Sequence, residues 1–313
     1  MTKVWKKQAQ KSVSLKSFLK QNMGLGDHQI SRLKFMEDGL LVNGKRSRVS
    51  CLLKEGDEVQ IRLEKDEPKD LAVLPWGPDP KILYEDEDLL VIDKPTGILS
   101  HPGKGHYRDT AANRAAAYLQ RKGKPCRIRL AGRLDMDTSG ILIFTRNQLA
   151  AARLARQREQ GMFAKEYLAL AAGRMSEGER GEIDRPLRKM PQEKTKMEVC
   201  QEGGLFSLTR YQVLKTWEEF SLLSVQIATG RTHQIRVHLA WTGHPLLGDS
   251  LYGKGDERIG RAALHAWKVH FLQPFTGEKI TLQSDIPEDM MIAIRKTSCH
   301  NSSSRYLTGG IIL

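Results

Sequence analysis

Between residue 81 and about residue 287 the chain offers five strand-length apolar runs and two clear helix candidates, and the two kinds do not alternate cleanly. The strand candidates are residues 89–93, 141–145, 167–172, 206–213 and 220–227; the helix candidates are 110–120 and 147–160. The last three strand candidates follow one another with no helical pattern between them. A doubly wound parallel sheet needs a helix after nearly every strand, so the order predicts an α+β fold.

A second unit precedes this region. In residues 12–63, Leu15, Phe18 and Leu19 fall at helical spacing, and Gly24 to Gly26 break the pattern. Ile30, Leu33 and Met36 mark a second helix that Gly39 ends. Leu40, Leu41 and Val42 then run into Asn43-Gly44, a hairpin signal, followed by Lys45, Arg46 and Arg48. Lys54 to Asp57 form another turn, and residues 59–63 alternate as a strand does. Residues 64–80 hold four prolines and many charges, which predicts a linker. Residues 291–313 end in a serine-rich stretch with two glycines and are expected to form a loosely ordered tail. The predicted units are therefore 12–63, the linker 64–80, a larger domain 81–290 and the tail 291–313.

Charge narrows the partners. Of the net charge of +13, the first 63 residues carry +7, from 13 lysines and arginines against 6 acidic residues. Such a balance favours a polyanion. The cysteines, Cys51, Cys126, Cys200 and Cys299, are too far apart for a zinc pair and are expected to be reduced thiols of a cytoplasmic protein. The first lysines precede no apolar run, so no secretory leader is expected, and no stretch is long enough to span a membrane.

Four stretches could carry chemistry. Gly132-Arg133-Leu134-Asp135-Met136-Asp137-Thr138-Ser139-Gly140 is a polar turn entering a buried strand. Asp135 there is either a turn-forming residue or a nucleophile or base at the mouth of the strand. In Gly230-Arg231-Thr232-His233-Gln234-Ile235-Arg236, Thr232 could cap a helix reaching Gly243, with His233 and Arg236 on one face. Polar groups at a helix start suit an anionic substrate. His233 and His238 are five apart and lack the helical zinc spacing, so no metal is expected. Tyr167, after Lys165 and Glu166, reads as a strand aromatic. In Asp93-Lys94-Pro95-Thr96-Gly97, Lys94 could meet a phosphate, but a chain turn is the favoured reading.

Together these stretches resemble the RluA-type family of RNA pseudouridine synthases over residues 81 to about 285. The Arg-Leu-Asp-x-x-Thr-Ser-Gly and Gly-Arg-Thr-His-Gln-Ile-Arg runs carry most of the likeness. Residues 12–63 resemble the RNA-binding domain first seen in ribosomal protein S-four, through Gly39 to Gly44 and Leu53 to Asp57. The first resemblance implies a bent, mainly antiparallel mixed sheet flanked by helices and loops. It further implies that Asp135 is the essential aspartate, that Arg236 pairs with it, and that Tyr167 stacks on the target base. Arg133 would wedge into the RNA, and Leu264 would form an apolar wall. The second implies a basic ridge of Arg32, Lys34, Lys45, Arg46 and Arg48 that reads RNA phosphate and shape. The chain departs from most close relatives at Gly132, where they carry His.

The implied reaction is an isomerisation needing no cofactor, metal or second substrate. The expected partner is RNA, ribosomal RNA being favoured and transfer RNA being the alternative, and the protein is expected to be a monomer. Two other readings stand beside it. One is a non-catalytic RNA-binding assembly factor; the other is a glycosidic hydrolase using Asp135 and Asp137.

Overall fold

The computed structural model describes residues 3–63, 73–103, 105–193 and 195–298. Its frame is a ten-stranded mixed sheet. Across it the order runs Arg180–Asp184, Leu208–Thr216, Phe220–Ile227, Ala164–Ala172, Leu264–Leu272, Ser139–Thr145, Leu89–Lys94 and Lys81–Glu85. Lys279–Gln283 adds to the Leu264–Leu272 strand, and Arg129–Leu130 to Ser139–Thr145. Among the described residues only Ser139–Thr145 and Leu264–Leu272 pair in parallel. The α+β expectation therefore matches the architecture.

Both expected helices form. Ala111–Arg121 is capped by Thr110, whose hydroxyl accepts from Asn113 N–H, and Gln148–Glu159 is capped in the same way by Asn147. Alanines dominate the buried face of the first helix, so it lies close against the sheet. The central strand Leu264–Leu272 escapes the sequence reading because His265, Lys268 and His270 interrupt its apolar residues. The two sheet faces differ along it. Leu264 and Ala266 lie in one core cluster with Tyr167 and Ala169, while Ala263 and Trp267 lie in another with Leu168 and Leu170.

The smaller unit begins before the expected boundary at residue 12. Lys3–Gln8 pairs along its whole length with Glu58–Leu63, making an edge of a sheet that continues through Leu40–Val42 and Lys45–Arg46. Helices Leu15–Gln21 and Asp27–Phe35 cover it. This unit rests on the helix Gln148–Glu159. The Arg153 guanidinium stacks 4.5 Å from the Trp5 ring centroid, Trp5 meets Phe275 edge-on, and Leu149 joins the small core. Arg153 also donates to the Met23 carbonyl, and Arg156 to the Lys20 and Gln21 carbonyls at the end of Leu15–Gln21. Burial, and the neighbouring Arg156, pull the Arg153 pKa down to about 10.

Two other boundaries differ from expectation. The linker's first part, 64–72, lies outside the described residues, but its end is not loose. Val73 is buried, and the Asn113 amide donates to the Leu74 carbonyl at 2.7 Å. Residues 291–298, expected in a loose tail, belong to the helix Glu288–Ser298, which buries Met290, Ala293 and Ile294. Its apolar spacing supplies the burial that the tail's composition obscures.

Candidate active site

The Asp135 turn is held from beneath. The Thr138 N–H closes it onto the Asp135 carbonyl at 3.2 Å, a four-residue turn with Asp at its first position. The Ser100 hydroxyl donates to the Leu134 carbonyl at 2.6 Å and accepts from the Leu134 N–H at 3.0 Å. Lys94 lies fully buried inside its own turn, and its Nζ donates to the carbonyls of Pro95, Ile98 and Met136 at 2.8 to 3.1 Å. Burial and the nearby Arg261 bring its pKa down to about 7, against the pull of Asp135 and Asp137. Lys94 is thus a strut, and the turn reading of this stretch holds, with Gly97 at φ +80°. Arg261 completes the support: it clasps Asp289 and donates to the carbonyls of Asp137 and Leu264. The whole loop is fixed, yet among the described residues no group donates to the Asp135 carboxylate itself.

Strand geometry brings Tyr167 to this carboxylate. Gly140 pairs with Ala266, and Ala266 pairs with Tyr167 on its other side. A bulge in Leu264–Leu272 falls at this point, between the partners of Glu166 and Tyr167, and such bulges re-aim side chains. Tyr167 is buried, its hydroxyl has no partner among the described residues, and Leu264 lines the cleft with it. Burial, then the Asp135 charge, raise its hydroxyl pKa well above the ordinary value, so it stays a neutral phenol.

The third element is the helix Gln234–Trp241. Its N-cap is His233, in a left-handed conformation with φ 54°, so Thr232 does not cap it as expected. Arg236 is buried on its first turn. The resemblance implies a pair with Asp135, but the guanidinium instead engages Asp249 through two bonds of 2.7 Å. Asp249 is itself buried and also accepts from the Leu251 and Tyr252 N–H groups. Burial works against the Arg236 charge, but the Asp249 carboxylate overcomes it and holds the pKa above the usual arginine value; Asp135 adds at longer range. His238 bonds Thr209 and the Arg185 carbonyl, a structural role, away from His233. Among the described residues no group of three His, Cys, Asp or Glu could hold a metal.

Basic side chains flank the cleft. Arg133 is exposed, and Arg158 donates to the Ala131 carbonyl while covering Phe163. Lys165 lies 5.7 Å from the Tyr167 ring centroid, and burial, then the nearby Arg158, bring its pKa down to about 7. Gly132 has φ +119°, a conformation that disfavours any L side chain, and a Cβ there would meet Arg158 at 3.2 Å. In the small unit Arg32, Lys34, Lys45, Arg46 and Arg48 are all exposed, and Arg46 donates to the Lys34 carbonyl, tying the hairpin to the helix. Sequence reasoning missed Ser100, Asp249, Tyr252 and Arg261. Their signals are single polar residues in unremarkable loops.

The mixed sheet and its cleft match those of RNA-modifying synthases. The solved structure of Human RNA Pseudouridylate Synthase Domain Containing 1 is similar, with a TM-score of 0.55 and 27% identity over 66% of this chain and 83% of that one. Residues 88–241 match the family model for RNA pseudouridylate synthase. The chain is 39% identical to the uncharacterized RNA pseudouridine synthase YhcT of Bacillus subtilis (strain 168), covering 80% of this chain and 82% of the relative. It is 36% identical to ribosomal large subunit pseudouridine synthase D of Nitrosomonas europaea, covering 80% and 75%. The chain belongs to the RluA-type RNA pseudouridine synthases, isomerases that convert uridine to pseudouridine in RNA.

Proposed function

We propose that the chain isomerises uridine in large-subunit ribosomal RNA, with Asp135 as the catalytic carboxylate. The observation that carries this reading is a carboxylate left without a protein donor on an otherwise fully braced loop, facing a buried tyrosine. The names of relatives, ribosomal large subunit pseudouridine synthase D among them, support ribosomal RNA as substrate.

Detaching uracil from its ribose needs an ionised carboxylate at the sugar or base, as nucleophile or as base. The flipped base leaves its stack at a cost of a few kcal/mol. Tyr167 offsets part of this, since stacking on an aromatic ring is worth about 1–3 kcal/mol per base. Arg236, fixed by Asp249, keeps a positive charge directed towards the Asp135 side of the cleft. Arg133 enters the gap left by the base, and Leu264 walls the pocket. Residues 3–63 serve as the RNA-docking unit, with the ridge of Arg32, Lys34, Lys45, Arg46 and Arg48 along phosphates.

Mapping pseudouridines by chemical probing tests this, in cells lacking the gene and restored with wild type or Asp135→Asn. Loss of a ribosomal site that only wild type restores is the expected outcome. A missing site in transfer RNA would overturn the substrate; product from Asp135→Asn would overturn the role of Asp135.

A further inference from the structure

We propose that His233 donates a hydrogen bond from its Nε2–H to a carbonyl oxygen of the target uracil, stabilising the charge that develops there as the glycosidic bond breaks. The proposal rests on the pseudouridine synthase reading and adds a second substrate contact to it.

The argument begins with the other ring nitrogen. Nδ1 lies 2.8 Å from the Tyr252 hydroxyl. That hydroxyl already accepts the Met197 N–H at 2.8 Å, so its own proton is free to point at Nδ1. The reverse assignment, with Nδ1–H donating, would leave the hydroxyl proton without an acceptor among the described residues. The relay Met197 N–H to Tyr252 O–H to His233 Nδ1 therefore selects the tautomer with its proton on Nε2. Burial holds the His233 pKa below its ordinary value, and the opposing pull of Asp135 does not reverse this, so the ring is neutral. Tyr252 cannot drift, because its ring covers the Arg236 guanidinium at 5.2 Å.

The remaining nitrogen has no partner among the described residues, while the ring lines the same cleft as Asp135, Tyr167 and Leu264. Asp135 is the strongest charge acting on it. The backbone supplies an independent sign. His233 and Asn43 are the two non-glycine residues with positive φ among the described residues, and Asn43 sits in a hairpin turn, where asparagine suits. Strain of this kind at a histidine is kept where the side chain is needed. A phosphate would be better met by the arginines of the rim, Arg133 and Arg158. A neutral N–H donor in a partly buried cleft suits a carbonyl that gains negative charge, as the oxygens of uracil do when N1 takes the bonding electrons. No proton leaves His233 in this step.

The test uses the full chain and total RNA from cells lacking the gene, with pseudouridine at the target read in single turnover. His233→Gly suits the left-handed backbone, so it removes the ring without adding strain. The single-turnover rate at saturating enzyme should fall about 10²- to 10³-fold, the loss typical of one oxyanion-type donor, with the RNA Kd within about threefold of wild type. The wild-type rate should show no decline from imidazole deprotonation between about pH 7 and 8.5, since the neutral ring is the donor. A His233→Gly rate equal to wild type, a loss confined to RNA affinity, or a rate falling tenfold per pH unit with the imidazole would each overturn the proposal. Absence of product with wild type would instead overturn the reaction assigned to the chain, and this contact with it.

Discussion

Arg236 gives two guanidinium nitrogens to Asp249, at 2.7 Å each, inside the protein, and neither bond reaches Asp135. The arginine therefore arrives at the cleft already oriented. Its effect on Asp135 is a field rather than a hydrogen bond, which leaves the Asp135 carboxylate without a donor among the described residues. The planar fork matters here, because only arginine meets a carboxylate through two parallel bonds.

Breaking this pair should show first in stability. Asp249→Asn leaves a buried guanidinium without its counter-charge, and such losses run about 3–5 kcal/mol. Urea unfolding should record a drop of that order. Arg236→Lys should lose most of the single-turnover rate, because an ammonium cannot occupy both Asp249 oxygens in one geometry. A lysine variant with wild-type rate would show that charge alone suffices.

The contact between Gly140 and Ala266 joins the two halves of the site. Gly140 has φ +103°, and a Cβ there would lie 2.3 Å from the Ala266 carbonyl oxygen. Gly140→Ala should therefore destabilise the protein by about 3 kcal/mol through strain and clash together. The rate should fall further than stability implies, because Asp135 lies on the Ser139–Thr145 side and Tyr167 on the far side of Ala266. Stopped-flow rates on the folded fraction separate the two effects.

His265 predicts an acid limit. It is buried, bonded to the Ser139 hydroxyl, and burial brings its pKa down to about 4. A histidine whose folded pKa lies below its unfolded value contributes stability that is present above about pH 6.5 and is lost as pH falls towards 4. The loss across this window is about 3 kcal/mol from this group. His265→Gln should flatten the stability curve between about pH 6.5 and 4 relative to wild type. Unfolding midpoints measured at half-unit pH steps check this.

The small unit should contribute binding and little chemistry. Lys45→Glu with Arg46→Glu should weaken RNA affinity and lower the slope of log K against log salt by about 1 to 2, as each lost phosphate contact lowers it by about 0.7 to 0.9. The rate at saturating enzyme should stay within about twofold. Filter binding at several salt concentrations, beside single-turnover rates, decides the matter.

Local signals determined much of this protein from sequence. Apolar runs and caps set the helices Ala111–Arg121 and Gln148–Glu159 and the strands around Leu89, Ile141 and Phe220, because hydrogen bonding and side-chain period act over a few residues. The motifs around Asp135 and Arg236 were legible for the same reason: each is one contiguous stretch of chain. Tertiary structure alone decided who meets whom. Asp249 lies thirteen residues from Arg236 and reads as an ordinary loop acid until the fold buries it against the guanidinium. Lys94 reads as a possible phosphate contact in a chain turn until three carbonyls enclose it. The Leu264–Leu272 strand carries too many polar residues to announce itself, yet it holds the centre of the sheet because its neighbours supply partners for them. Long-range pairing costs chain entropy that only the assembled core offsets, so no window of sequence records it.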